Sequence, residues 1–224
     1  MATTLRDLRL LKRNGFIHAA GLMAAALIIV LQFVPESARS WMVPLLLFGN
    51  FVANAFYFSA GMMLLEKAER TLPVQFVTPL RTGEYLWSRC LALTLLTLAE
   101  SLLIVAFAGV GNWLLIALAV SAATPLLCQL GLLMVTRYDS INRFLMPSVP
   151  VTFLLALPLL YEFELWPSPL LMAHPVYPCL ALLFGGFEPT SIPKVVLALG
   201  LATAWALLGA ALTGRVLRRY ARTP

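Results

Sequence analysis

The chain has 224 residues, of which 61% are hydrophobic and only 12% are charged. A soluble domain carries about 25% charged residues and fewer than half apolar ones. The apolar residues also lie in long uninterrupted runs, which a folded core of this size could not bury. The composition therefore excludes an ordinary soluble protein and predicts a polytopic membrane protein.

The sequence lacks the motifs of nucleotide hydrolysis and of common hydrolases. It contains no G-x-x-x-x-G-K-[ST], H-E-x-x-H or G-x-S-x-G. Its three cysteines fall in different apolar runs without C-x-x-C spacing, which disfavours a zinc site or a disulfide framework. We therefore expect no catalytic residue, metal site or cofactor in this chain, and any energy source must come from outside it.

The first predicted element is an amphipathic helix within residues 1–15. Its leucines and arginines occupy different faces: Leu5, Leu8 and Leu11 on one, and Arg6, Arg9 and Arg13 on the other. Such a helix is typical of the membrane headgroup region, and a frayed basic tail is the alternative. A cleaved signal peptide is disfavoured, because the apolar run from Phe16 to Val34 is too long and no A-x-A site follows.

Six apolar runs are long enough to cross a bilayer as helices, which takes about 20 residues each. They are residues 16–34, 41–65, 86–108, 113–135, 144–161 and 193–213. Residues 162–192 are also apolar, but five prolines interrupt them, so they do not form a simple seventh span. The sequence thus predicts an all-α fold with six transmembrane helices in a single membrane domain, residues 1–224.

The basic residues predict the orientation of these spans. All but two of the 16 lysines and arginines fall on one side of the predicted topology, and the exceptions are Arg39 and Lys194. Positively charged loops stay in the cytoplasm. We therefore expect a multi-pass protein of the inner (plasma) membrane with both termini in the cytoplasm. The net charge of +6 follows from this topology and does not indicate nucleic-acid binding.

Polar side chains inside three of the spans are candidates for a substrate pathway. They are Asn50, Asn54 and Tyr57 in the second span, Glu100 in the third, and Ser148 and Thr152 in the fifth. An ionisable residue within the membrane is by default a functional hypothesis. Glu100 would either attract a cationic substrate or, when protonated, hydrogen-bond a neighbouring helix. The amides and hydroxyls would line the pathway or hold helices together.

The connection from Glu66 to Tyr85 is longer than a plain link between two helices needs to be. Thr71 can cap a new helix that has Pro73 in its first turn, and Pro79 disfavours helix at Thr78. These signals predict a short helix over residues 72–77. Its surroundings carry apolar side chains that have no lipid to face: Leu72, Val74, Phe76, Val77 and Leu80. Exposed apolar residues of this kind usually need a partner surface.

This connection resembles that of the type-2 (ABCG-like) permeases of ABC exporters, and within them the small fluoroquinolone-export-like permeases. The resembling residues are Glu66, Glu69, Arg70, Thr71 and Leu72, then Val77, Thr78, Pro79 and Leu80, then Glu84, Tyr85 and Arg89. Two positions depart from the family pattern. Arg70 stands where a glycine commonly precedes the threonine, and Pro73 lies inside the family's coupling helix.

The resemblance implies that residues 66–85 form the coupling loop, which docks on a separate ATPase subunit. The implied coupling residues are Glu66, Glu69, Arg70, Thr71, Leu72, Val74, Phe76, Val77, Thr78 and Pro79. Two ATPase copies would bind ATP and magnesium, and the permease would pair with a second copy or a homologue. The second and fifth spans would line the path at that two-fold interface, and re-entrant helices within 162–192 would close its outer end.

The resemblance further implies alternating-access export of a small amphiphilic substrate or drug. Several alternatives stay open on the sequence alone. The chain could be a haem-exporter or lipid-exporter permease of the same class, or a membrane-embedded enzyme or structural subunit that works without ATP. Against an enzyme, the spans hold no paired carboxylates, histidine cluster or Ser/Lys constellation.

Overall fold

The computed structural model of the chain describes residues 2–71 and 82–220. Within these residues it contains helices and no strand, which confirms the all-α prediction. The short helix predicted over residues 72–77 lies outside the described residues. The same holds for six of the implied coupling residues: Leu72, Val74, Phe76, Val77, Thr78 and Pro79.

The chain begins with two helices that meet at a sharp bend. Helix α1 spans Ala2–Arg13 and α2 spans Phe16–Gln32, and their axes differ by 68°. Gly15 lies in the left-handed region with φ 79°, a conformation that glycine adopts without steric cost. The bend turns α1 away from the direction of α2, which at 17 residues is about 25 Å long.

The second span is one long helix with an altered middle. It consists of α3 (Glu36–Phe51), a π-helical segment (Val52–Tyr57) and α4 (Phe58–Ala68), 33 residues in all. A π-helix has one residue more per hydrogen-bonded turn than an α-helix, and such segments are rare and frequently mark functional sites. The predicted polar residues Asn54 and Tyr57 both lie in it.

Four further long helices complete the bundle: α5 (Thr82–Ala108), α6 (Trp113–Val135), α7 (Ile141–Ala156) and α11 (Ile192–Tyr220). Among the described residues, five helical stretches are long and apolar enough to cross a membrane. The count becomes six when α1 and α2 are taken together as one bent span. The prediction of a polytopic helical membrane protein is therefore confirmed, and its six spans equal the upper count.

Residues 162–192 form short helices and turns. Helix α8 (Leu159–Glu162) prolongs α7, and α9 (Pro169–Met172) and α10 (Tyr177–Gly185) follow. Every residue of α10 is buried, and this helix packs against α6, α11 and α3. The backbone N–H of Asn112 donates to the Gly186 carbonyl at 2.5 Å, which joins the end of α10 to the start of α6.

Helix α6 forms the centre of the bundle. It packs against α5, α11, α10, α4 and the π segment. Gly131 permits the closest approach, because a Cβ atom at this position would collide with the Phe56 carbonyl and the Ser59 hydroxyl. The Ser59 hydroxyl in turn donates to the Cys128 carbonyl at 3.2 Å. The missing side chain at Gly131 thus sets the distance between α6 and the second span.

Helix α7 lies at the edge of the bundle. In the most apolar stretch of α7 and α8 only 22% of the residues are buried, whereas in that of α6 the share is 56%. Phe144 packs its ring on Phe56 and Tyr57 at centroid distances of 5.9 and 6.2 Å. The opposite face carries exposed apolar side chains, which are Met146, Val149, Phe153 and Leu154. Within one copy of the chain, this face has no protein neighbour among the described residues.

The close approach at Gly131 can be tested by adding one methyl group. Gly131→Ala should destabilise the bundle by about 1–3 kcal/mol, because the new atom overpacks a backbone contact. Gly200→Ala is the matched control, since a Cβ at Gly200 meets no atom within 4 Å. We expect a lower thermal midpoint in detergent for Gly131→Ala and an equal or higher one for Gly200→Ala. Equal midpoints for wild type and Gly131→Ala would contradict the packing described.

Candidate functional site

One end of the bundle collects both termini of the described chain and most of its positive charge. Arg13 of α1 lies 3.7 Å from Glu69, just after α4. The Lys67 ammonium donates to the last carbonyls of α6 and the turn after it, at 3.1 Å for Val135 and 2.7 Å for Tyr138. We call this end the basic end. The charge separation predicted from the sequence is present, with Arg39 near the opposite end, where it donates to the Ala108 carbonyl at 3.1 Å.

A group of buried charged and polar side chains joins three helices at the basic end. We call it the buried charge group, and its members are Asp7 of α1, Glu66 of α4, and Tyr85, Ser88 and Arg89 of α5. Arg89 is its centre and is 0% exposed. The Arg89 guanidinium lies 2.5 Å from the Glu66 carboxylate and 3.8 Å from that of Asp7.

Neutral donors complete the group. The Tyr85 hydroxyl donates to Glu66 at 2.8 Å, and the Ser88 hydroxyl donates to Asp7 at 2.5 Å. The Arg89 guanidinium also lies 4.9 Å from the Tyr85 ring centre, close enough for a cation–π contact. Buried charges are tolerated when they are paired and hydrogen-bonded. The group therefore fixes α1, α4 and α5 relative to one another.

Members of the buried charge group lie on both sides of residues 72–81, shortly before them on α4 and shortly after them on α5. Thr71, the last described residue before residue 72, donates through its hydroxyl to the Glu66 carbonyl at 3.2 Å. On the other side α5 begins at Thr82 and soon contributes Tyr85 and Arg89. Of the implied coupling residues, the structure thus places Glu66 inside the bundle, whereas Glu69 stays about half exposed beside Arg13.

Two members of this group, Asp7 and Ser88, were not predicted from the sequence. A signal for Asp7 exists, because it is the sole acidic residue of a helix that is otherwise basic. It is also four residues from the fully buried Leu11, which places both on the inner face of α1. Ser88 has no comparable signal, since a serine nearly two turns into a long helix is ordinary.

A second polar group lies within the bundle, between the second and third spans. Glu100 of α5 accepts hydrogen bonds from the side-chain amides of Asn50, at 3.3 Å, and Asn54. Asn54 also donates to the Asn50 side chain at 3.4 Å. All three side chains are buried. The structure therefore brings together three of the residues predicted from the sequence, with Glu100 as the acceptor; the two roles predicted for Glu100, attraction of a cationic substrate and hydrogen bonding in the protonated form, stay predictions.

The remaining pathway candidates separate into two kinds. Ser148 of α7 lies 3.3 Å from the Tyr57 hydroxyl and so links the fifth span to the π segment. Thr152 donates within its own helix, to the Val149 carbonyl at 2.8 Å. In residues 2–71 and 82–220, no set of three or more His, Cys, Asp or Glu side chains is placed to hold a metal ion.

The fold and these two groups define a class of protein: a polytopic helical membrane protein with a buried charged base and a polar interior. The sequence model of the fluoroquinolones export permease protein family matches residues 1–222. The chain is also 31% identical over 189 residues to the fluoroquinolones export permease proteins of two Mycobacterium tuberculosis strains, CDC 1551 / Oshkosh and ATCC 25618 / H37Rv. These matches cover 83% of this chain and 80% of each relative.

The chain therefore belongs to the fluoroquinolones export permease protein family and is a membrane permease. The resemblance found in the sequence is confirmed over nearly its whole length. The family assignment also favours a transport subunit over the enzyme and the structural subunit that the sequence alone left open.

The buried charge group makes a prediction about pairs of substitutions. Arg89→Met should lower the stability by about 3–5 kcal/mol, because it leaves two buried carboxylates without their cation. Arg89→Met combined with Glu66→Met should recover part of this loss, since it removes one uncompensated charge. Thermal midpoints of the single and double variants in detergent measure the coupling. A double variant less stable than Arg89→Met would contradict the pairing.

The polar group within the bundle can be tested at Glu100. Glu100→Leu should destabilise the protein by about 1–3 kcal/mol, because it leaves the buried Asn50 amide without an acceptor and removes the carboxylate to which Asn54 donates. Glu100→Gln keeps an acceptor oxygen and should cost less. Leu103→Ala on the lipid-facing side of α5 is a control with little expected effect, as Leu103 is 48% exposed. Expression and thermal midpoint would be compared, and equal values for Glu100→Leu and wild type would refute this role.

Proposed function

We propose that the chain is the membrane-spanning subunit of an ABC exporter in the inner (plasma) membrane, with both termini in the cytoplasm. A separate ATPase subunit, present in two copies, would bind ATP and magnesium and drive transport. The observation that carries this proposal is the buried charge group, because it joins the two helices flanking residues 72–81 to each other and to α1. Family membership supports the same reading.

The proposed coupling follows from this geometry. A force applied to residues 72–81 enters α4 and α5 together, since Arg89 and Glu66 bind them across 2.5 Å. Lys67 extends the same connection to the end of α6, where it donates to the Thr136 carbonyl at 3.3 Å. Movement of the ATPase would therefore shift α4, α5 and α6 together, as one rigid body.

The second span contains the place where such a movement can be absorbed. The π segment interrupts the regular hydrogen-bond pattern halfway along the span. Helix α7 lies beside this π segment. It carries Pro147 and Pro150 and contacts the bundle mainly through Phe144 and Ser148. We infer that the second and fifth spans change their relative position during alternating access. A substrate moves by this means when the two states bind it with different affinity.

A second permease copy, or a homologue, is the proposed neighbour of the exposed face of α7. Met146 is 81% exposed and Phe153 is 72% exposed. Large apolar side chains face either lipid or another helix in a membrane protein, and in the proposed two-fold arrangement a second permease would lie there. The candidate pathway would run between the two copies, past Tyr57 and Ser148.

The proposed substrate is a small amphiphilic drug. The two Mycobacterium relatives carry fluoroquinolones in their names. Transport of this compound class by the present chain, together with its ATPase, is the corresponding proposal. An efflux measurement with a fluorescent fluoroquinolone in cells that lack the permease, with and without the plasmid-borne chain, would test it.

The coupling assignment predicts the effect of one substitution in the loop. Phe76→Asp should abolish association with the ATPase subunit, because a carboxylate would have to enter an apolar contact surface without a partner. Association is measured by affinity purification of the tagged permease followed by quantification of the ATPase. Drug efflux should be lost in parallel.

The matched control places the same charge at the opposite end of the bundle. Leu165→Asp changes a side chain that is 73% exposed beyond α8, and it should leave both association and efflux intact. If Phe76→Asp and Leu165→Asp both assemble and transport like the wild type, residues 72–81 are not the coupling element.

A further inference from the structure

A pocket between α1 and α4 at the basic end is not used by the transport cycle proposed above. Its volume is about 300 Å³, and we call it the α1–α4 pocket. Three arginines of α1 line it, Arg6, Arg9 and Arg13. Their spacing of three and four residues places them on one face of the helix. The lining also includes three apolar side chains, those of Leu10, Met62 and Leu65, and the polar residues Asn14, Glu66, Glu69 and Thr71.

The charges around the α1–α4 pocket do not balance. Four guanidinium groups stand here against three carboxylates: those of Arg6, Arg9, Arg13 and Arg89 against those of Asp7, Glu66 and Glu69. Arg89 forms salt bridges with Glu66 and Asp7, and Arg13 forms one with Glu69. Arg6 and Arg9 form no salt bridge with any described residue. The surplus positive charge therefore lies on two exposed arginines that line a pocket with three apolar side chains.

This combination of unpaired positive charge and apolar side chains indicates the chemistry of the ligand. Arginine binds phosphate through several donors held in a fixed plane. A free phosphate ion would use the arginines but gain nothing from Leu10, Met62 and Leu65. An anionic phospholipid would use both parts of the pocket, since its phosphate is joined to an apolar chain.

The position of α1 favours the lipid source. The 68° bend after α1 directs this helix across the axis of α2, and α1 adjoins the end of that apolar helix. Basic amphipathic helices at this level of a membrane attract anionic headgroups. We propose that the α1–α4 pocket binds the headgroup of an anionic phospholipid through Arg6 and Arg9, with Leu10, Met62 and Leu65 against the start of its acyl chains.

Native mass spectrometry of the purified full-length chain in detergent tests this proposal. Phosphatidylglycerol would be titrated onto the wild type, and phosphatidylcholine with the same acyl chains would be the neutral comparison. We expect preferential binding of phosphatidylglycerol. The double substitution Arg6→Gln and Arg9→Gln should weaken that binding at least about tenfold and leave the phosphatidylcholine signal unchanged.

The matched control removes two positive charges from the same end but outside the pocket. Lys12→Gln with Arg215→Gln changes two exposed side chains that do not line the cavity. This variant should bind phosphatidylglycerol like the wild type. The single substitutions Arg6→Gln and Arg9→Gln should each give a partial loss, which keeps the test decisive if the double variant folds poorly.

Three results would overturn the proposal. The first is equal phosphatidylglycerol binding by wild type and the Arg6/Arg9 variants. The second is an equal loss in the Lys12/Arg215 control, which would mean attraction by overall charge. The third is displacement of the lipid by glycerol phosphate at equal concentration, which would assign the pocket to a free phosphate. None of these readouts involves an ATPase, so they are independent of the proposed exporter function.

Discussion

The rest of the structure depends on one buried cation, Arg89. A guanidinium group cannot lose its proton under ordinary conditions and is costly to remove from water, so its burial requires carboxylates. Glu66 and Asp7 supply them from two other helices. The requirement that these three charges meet fixes where α1, α4 and α5 end relative to one another. Removal of one partner would leave the others uncompensated, so the base of the bundle holds together as a unit.

Under the proposed function, this base would let a small permease respond to an ATPase subunit. Residues 72–81 connect two helices that the buried charge group already joins, and Lys67 adds the end of α6 through three backbone carbonyls. Force at the loop would therefore move a rigid body. The flexibility needed for transport would then lie farther from the basic end, in the π segment and in the weakly packed α7. Glu100 and the two asparagines lie at this level, where their hydrogen bonds stabilise the irregular helix.

The membrane architecture could be predicted from the sequence because it depends on local composition. The predicted span 113–135 coincides with α6, and the span 193–213 lies within α11. The third span was predicted from residue 86, yet α5 begins at Thr82. Hydropathy follows the apolar run, whereas the helix continues beyond it through Glu84 and Tyr85. The prolines in residues 162–192 argued against a simple seventh span, and the structure has short helices and turns there.

The candidate sites were harder to predict, because their members are far apart in the chain. Asn50, Asn54 and Glu100 were each identified as unusual in a membrane, but their contact joins residues 46 and 50 positions apart. Asp7 and Ser88 are separated by 81 positions and gave no joint signal. The π segment also packs against α5 and α6, and Asn54 within it donates to Glu100, so its contacts join distant parts of the chain. Pairings of this kind are decided by tertiary structure.

The central claim is that this permease works with an ATPase subunit, and co-purification from native membranes tests it most directly. The chain would be extracted in mild detergent, isolated, and its companions identified and quantified by mass spectrometry. The account predicts a chain with P-loop ATPase motifs in about equal amount. Recovery of the permease without any such chain, and without ATP hydrolysis in any fraction, would contradict it.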